Sequence, residues 1–258
     1  MKGRKLYSAL VLAGGMACMA GASPVPYVTS LNGVLLTVDA ANNSPTMIGP
    51  SGLATDSLAQ DINGKLWAAS ASGGLYQVTG SGSTLISNLP WGNIGDLDCD
   101  ANGIWGYSNA ASMLFYYNLT SNNVTVQTPV PTLVGETVTG VAVDGAGQVY
   151  LSTALNNKLF KMFNPMVPIT TYVGLMPTTD NNFGDIDFDP ATGKLWGVTY
   201  NNRSWYTINT GNASTQLITP TTSGVLDITG LAMPVVAPEP ATWAILGLGA
   251  LAVARRKR

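Results

Sequence analysis

Hydrophobic and polar positions along the chain fall into a phrase that recurs. An apolar residue, a variable residue, an apolar residue and an aspartate lead into a short glycine-containing turn, and an apolar residue and an aromatic one follow it. The phrase runs Leu58-Ala59-Gln60-Asp61 to Leu66-Trp67, with Gln60 breaking the pattern, and Leu97-Asp98-Cys99-Asp100 to Ile104-Trp105. It returns as Val141-Ala142-Val143-Asp144 to Val149-Tyr150 and as Ile186-Asp187-Phe188-Asp189 to Leu195-Trp196. The anchoring aspartates Asp61, Asp100, Asp144 and Asp189 are 39, 44 and 45 residues apart. Each phrase reads as a strand, a tight turn and a second strand, with the aspartate accepting turn amides and glycine supplying positive φ.

A second apolar phrase follows each time: Leu75-Tyr76-Gln77-Val78, Leu114-Phe115-Tyr116-Tyr117, Leu159-Phe160-Lys161-Met162 and Trp205-Tyr206-Thr207-Ile208. After a polar turn comes a Thr-rich fourth strand, such as Val124-Thr125-Val126 or Gln216-Leu217-Ile218. Four antiparallel strands every ~40–45 residues is the period of a β-propeller blade, and no part of the body sustains a helical period. Residues 33–49 hold the second phrase with no first phrase before it. Near the other end, Thr229-Gly230-Leu231-Ala232-Met233 matches Thr139-Gly140-Val141-Ala142-Val143. A blade shared between the two ends closes the ring and leaves no free edge. The expected fold is all-β: four whole blades plus one split blade, five in total. A sixth would need a repeat that the sequence does not display.

Charge separates the body from its ends. Of twelve cations, Lys2, Arg4 and Lys5 open the chain and Arg255, Arg256, Lys257 and Arg258 close it. Between Pro24 and Ala237 five cations face thirteen carboxylates, a net charge of −8. Such a body offers no footprint for nucleic acid. There is no histidine, which excludes a Ser-His-Asp or Cys-His mechanism and a His-ligated zinc or haem within this chain.

The ends read as processing signals. Residues 1–22 combine a basic start, an apolar run from Leu6 to Ala20, and small residues at Ala20 and Ala22 where a signal peptidase cuts. Cleavage there removes Cys18 and leaves Cys99 as the mature chain's lone cysteine, so no internal disulfide is expected. At the other end Pro238-Glu239-Pro240 precedes an apolar segment, residues 241–254, and the terminal basic cluster. About 14 residues span ~21 Å as a helix, short of a ~30 Å hydrocarbon core, so Trp243 at one interface and the basic cluster at the other are needed to hold it. The basic end stays cytoplasmic and the acidic body lies outside.

Motif, apolar segment with Gly247-Leu248-Gly249, and basic tail together resemble the PEP-CTERM sorting signal of Gram-negative bacteria, although Ala237 stands where many members carry valine. With the leader and the repeats, this divides the chain into three expected parts: a signal peptide at 1–22, a propeller at 23–236, and a sorting signal at 237–258 with a transmembrane helix at 241–254. The leader implies signal peptidase as a partner, and the resemblance implies an exosortase, transient retention in the inner membrane, and delivery to the cell surface or outside, often among exopolysaccharides.

Counting back from the anchors places Asp96 and Asp98 at the same repeat positions as Asp185 and Asp187, on one face of an inner strand beside the central channel. Asp227 is a further candidate. Hard oxygen ligands converging there suit Ca²⁺; the other reading is that they satisfy backbone amides and keep the body soluble. The run Asp96-x-Asp98-x-Asp100-x-Asn102-Gly103 fails as an EF-hand, because its glycine is misplaced and Tyr107 stands where a bidentate glutamate belongs. Trp67, Trp105, Tyr150 and Trp196 share one repeat position, where they pack between blades or present stacking faces to sugars. Trp91, Tyr107 and Trp205, off that register, are the better candidates for surface contacts. Asn-x-Ser/Thr triplets at Asn42, Asn118, Asn123, Asn202 and Asn212 reflect an Asn/Thr-rich surface.

The sequence thus points to an exported propeller that binds extracellular polysaccharide or another surface protein, or serves a structural role. The competing class is a Ca²⁺-dependent propeller enzyme of lactonase or lyase type. With Glu136 the body's single glutamate and no histidine, a paired general acid and base in such an enzyme would have to be two aspartates.

Overall fold

The computed structural model describes residues 24–30, 32–53, 57–178, 182–220 and 227–235. The signal-peptide residues Ala20 and Ala22 lie outside them, as do Pro238, Glu239 and Pro240, the helix expected at 241–254, and the basic tail from Arg255 to Arg258. Among the described residues no helix is long and apolar enough to cross a membrane.

Five four-stranded antiparallel sheets form the blades of a propeller. Blade 1 joins β1 (Tyr27–Ser30), β2 (Val34–Asp39) and β3 (Ser44–Pro50) to β20 (Ile228–Ala232). Blade 2 is β4 (Ala59–Gln60), β5 (Leu66–Ala69), β6 (Gly74–Thr79) and β7 (Gly82–Asn88). Blade 3 is β8 (Ile94–Cys99), β9 (Gly103–Ser108), β10 (Met113–Asn118) and β11 (Asn123–Pro129). Blade 4 is β12 (Val138–Val143), β13 (Val149–Thr153), β14 (Lys158–Met162) and β15 (Thr171–Leu175). Blade 5 is β16 (Phe183–Asp189), β17 (Lys194–Thr199), β18 (Trp205–Ile208) and β19 (Thr215–Thr219).

The split blade is the expected one with a strand added. Tyr27 pairs with Ala232 and Val28 with Leu231, so β20 is the innermost strand and β1 the second. The hydrophobic pattern predicts no strand before residue 33. Four residues without a turn phrase are a weak signal, yet Tyr27 occupies the register of the repeated aromatics. It lies opposite Ala232 as Trp67 lies opposite Ala59, Trp105 opposite Asp98, Tyr150 opposite Ala142 and Trp196 opposite Asp187.

The core is divided among the seams between blades. Five buried clusters form, one per pair of neighbours, and each contains one aromatic of that register: Tyr27, Trp67, Trp105, Tyr150 or Trp196. These rings therefore fill the wedges and offer no row of stacking platforms. Two of them are also tied to the anchor aspartates, since Trp67 Nε1 donates to Asp61 Oδ2 at 3.1 Å and Trp105 Nε1 to Asp100 Oδ2 at 3.0 Å. Burial declines outward. The innermost β8, β12, β16 and β20 are almost wholly buried, whereas β3 and β15 are largely exposed.

Candidate functional site at the channel mouth

An innermost strand is paired on one side only, so its other edge presents amides to the channel. Those amides need acceptors, because a buried donor left unpaired costs about 1–3 kcal/mol. The aspartates on β8 and β16 supply them. Asp96 Oδ2 accepts from the amide of Val141 and Asp98 Oδ2 from that of Val143, both at 2.6 Å, which ties blade 3 to β12. Asp185 Oδ2 accepts from Leu231 and Asp187 Oδ2 from Met233, again at 2.6 Å, which ties blade 5 to β20. Two of the carboxylates also serve their own strand. Asp98 Oδ1 accepts from Cys99 and Asp185 Oδ1 from Ile186 at 2.6 Å, while the amides of Leu97 and Phe188 stabilise the ionised forms of Asp96 and Asp187.

The four residues thus come together, as their register predicts. Asp96 and Asp185 are electrostatic neighbours across the channel, and Asp96 Oδ1 is buried without a hydrogen-bond partner among the described residues. Burial pushes the pKa values of Asp96, Asp185 and Asp187 well above the ordinary carboxylate range, and Asp98 up to about 7. The charge of Asp98 raises Asp187 further, and that of Asp96 raises Asp185. Among the described residues no group of three or more His, Cys, Asp or Glu is placed to hold a metal ion. Asp227 does not join the cluster: it pairs with Arg203 at 2.6 Å. Glu136 lies away from it too, paired with Lys158 at 2.5 Å.

Beyond Asp98 and Asp187 the channel widens into a cavity of about 530 Å³. Its wall is made by the turns that follow the innermost strands, including Asp100, Asp144 and Asp189, and by the apolar Ile62, Phe188 and Met233. No cation lines it among the described residues. The anchor aspartates hold these turns as the sequence predicts. Asp144 Oδ1 accepts from Ala146 and Gln148 at 2.9 Å, and Asp61 Oδ1 from Asn63 and Lys65 at 2.8 and 3.0 Å. Gln60, the break in the repeat, has a purpose at this rim: its Oε1 accepts from the amide of Val235 at 2.7 Å and fixes the chain as it leaves β20.

Two expected surface aromatics are not on the surface. Tyr107 and Trp205 are 0% exposed, because a blade lies between two neighbours and both faces of its middle strands are covered. Trp91 is half-buried against Phe115, ring centroids 5.5 Å apart. Cys99 is a free, half-buried thiol at the cavity wall, its pKa raised by burial and by the nearby aspartates.

The described body defines a class, a five-bladed propeller with an acidic channel. Residues 236–258 match the PEP-CTERM protein-sorting motif, so the chain carries the signature of an exported exosortase substrate, anchored in a membrane before cleavage. No curated protein matches the sequence. Solved structures resemble its fold. One in a crystal structure of a nidogen/laminin complex is 10% identical with a TM-score of 0.52, covering 82% of this chain and 86% of that one. A catalytically inactive virginiamycin B lyase from Staphylococcus aureus, crystallised with quinupristin, is 15% identical with a TM-score of 0.50, covering 84% and 79%. A structural genomics protein of unknown function from Bacteroides thetaiotaomicron is 10% identical with a TM-score of 0.52, covering 74% of this chain and 49% of that one. At these identities the likeness is one of fold.

Proposed function

We propose that this is an exosortase-sorted envelope protein whose propeller is a binding module, with the cavity at the channel mouth as its ligand site and an extracellular polysaccharide as the ligand. The supporting observation is the cavity itself, with five aspartates and apolar side chains in its wall and no cation among the described lining residues. Carboxylates accept hydrogen bonds from sugar hydroxyls and attract ammonium groups, while Ile62, Phe188 and Met233 suit the apolar faces of a ring. Polymers bearing amino sugars are therefore favoured over neutral ones, and uronic acid polymers are disfavoured by like charge.

A glycan array spanning those three classes tests the assignment. Binding in that order supports it, and Ile62→Arg, which places a cation at a 58% exposed position of the mouth, should abolish the signal without unfolding the ring. Silence on every glycan counts against a polysaccharide ligand. Calcium dependence is tested in the same experiment. The carboxylates are already engaged by backbone amides, so EDTA should leave both binding and Tm unchanged, and a large loss of either would revive a channel Ca²⁺ and the lactonase or lyase alternative.

A further inference from the structure

The cavity and the two ends of the described chain lie at one end of the ring. Met233 and Val235 line the cavity, and Tyr27, three residues after the first described residue, pairs with Ala232. Both termini therefore lie at the channel-mouth end, and the C-terminal one departs close to the axis while Pro24 runs beside the end of β2. Between Val235 and Ala241, the first residue of the apolar segment, stand only residues 236–240. At ~3.3–3.6 Å per residue this tether reaches ~20 Å fully extended, and two prolines in it favour the slightly shorter polyproline rise of ~3.1 Å.

That reach is too short to let the ring turn its mouth away from a bilayer. From innermost to outermost strand a blade measures three inter-strand spacings, ~14 Å at ~4.8 Å each, before side chains are added. A tether starting at the axis would use most of its length merely to reach the outer wall, and would then have to run along the strands to the opposite end. We propose that the channel mouth is the membrane-facing end of the ring while the C-terminal segment is anchored, and that removal of that segment opens the cavity to large ligands. The inference rests on the anchoring and binding reading above and adds an order of events to it: the site is covered until sorting is complete. An anionic membrane surface facing the acidic turns would repel them, but the tether limits that separation to ~20 Å, of which the headgroup layer takes ~5–7 Å, so bulky polymers are kept from the mouth.

Accessibility of a single thiol reads this directly. In a Cys99→Ser background without the leader, Ile62→Cys reports on the mouth and Val134→Cys on the opposite end, at positions 58% and 70% exposed. The full chain in phospholipid nanodiscs is compared with a chain ending at residue 237, in which all five blades are complete. A bulky polyethylene glycol maleimide should react with Ile62→Cys severalfold more slowly in the anchored chain than in the released one, while Val134→Cys reacts equally in both. A Gly/Ser spacer of ~20 residues after Val236, with a mean span of ~25 Å and a longer reach, should restore the Ile62→Cys rate in the nanodisc. Equal Ile62→Cys rates in the anchored and released chains overturn the inference while leaving anchoring intact. A full chain that fails to enter the nanodisc overturns the anchoring reading and the inference with it.

Discussion

Blades 3 and 5 differ from blades 4 and 1 at two inner-strand positions. β8 and β16 carry Asp96 with Asp98 and Asp185 with Asp187, whereas β12 and β20 carry Gly140 with Ala142 and Gly230 with Ala232. Where the aspartates stand, the gap to the next blade is spanned by carboxylates. Where the glycines stand, the next blade comes to the strand itself. A Cβ added to Gly140 would lie 2.8 Å from the amide nitrogen of Ile186, and one on Gly230 2.9 Å from that of Leu58. Two solutions to one problem therefore alternate around the channel: reach across with a side chain, or delete the side chain and close up. With five blades the alternation cannot be completed, and the odd seam belongs to blade 2, whose Ser57 turns back on Ala69 of its own sheet. Its innermost strand, β4, is only two residues long.

The sharpest way to break this contrast is to remove a carboxylate. Asp185→Ala strips acceptors from the amides of Ile186 and Leu231 at the seam that closes the ring, and should cost about 4 kcal/mol in urea unfolding, two buried donors at roughly 2 kcal/mol each. Asp185→Asn keeps one accepting oxygen and relieves repulsion with Asp96, so it should lose clearly less; equal losses would show that charge, not amide pairing, is what matters. Next comes the other solution. Gly140→Ala drives a methyl into β16 and the Ser152 hydroxyl and should cost about 2 kcal/mol, while Gly145→Ala, with nothing within 4 Å of the added carbon, should change stability by only a few tenths.

The most gradual effect is with pH. All four channel carboxyls titrate higher in the folded chain than in the unfolded one, so the native state binds more protons and stability is greatest on the acid side. It should fall as pH rises from the unfolded carboxylate value of about 4 through about 7, where Asp98 ionises in the fold. A Tm that rises over that interval would contradict the burial of these four carboxyl groups.

Much of this architecture is legible in the sequence because each blade repeats the same short phrase. The count of five and the shared blade follow from Asp61, Asp100, Asp144 and Asp189 and from the match of Thr229–Met233 to Thr139–Val143. Register also placed Asp96, Asp98, Asp185 and Asp187 at the channel. Their partners were not legible, since the amides of Val141, Val143, Leu231 and Met233 belong to the next blade, some 45 residues away, and no pattern within one repeat specifies what its neighbour presents. Tyr107 and Trp205 are buried where the pattern suggests surface, for a related reason. Alternation marks a strand with one wet face, and the middle strands of a propeller blade have none.

The pairing of Tyr27 with Ala232 also sets a schedule. Residues about 200 positions apart must meet to finish blade 1, and closing so long a loop is slow compared with forming any hairpin inside a blade. Until β20 emerges, β1 keeps an unpaired edge and both β16 and the Tyr27 seam lack a neighbour. Were the chain exported N-terminus first, as the proposed leader implies, the strand that locks the ring would be among the last parts of the body to cross, immediately ahead of the sorting segment. Completion of the fold and arrival of the anchor would then be nearly one event, and a propeller halted short of β20 would remain an open arc.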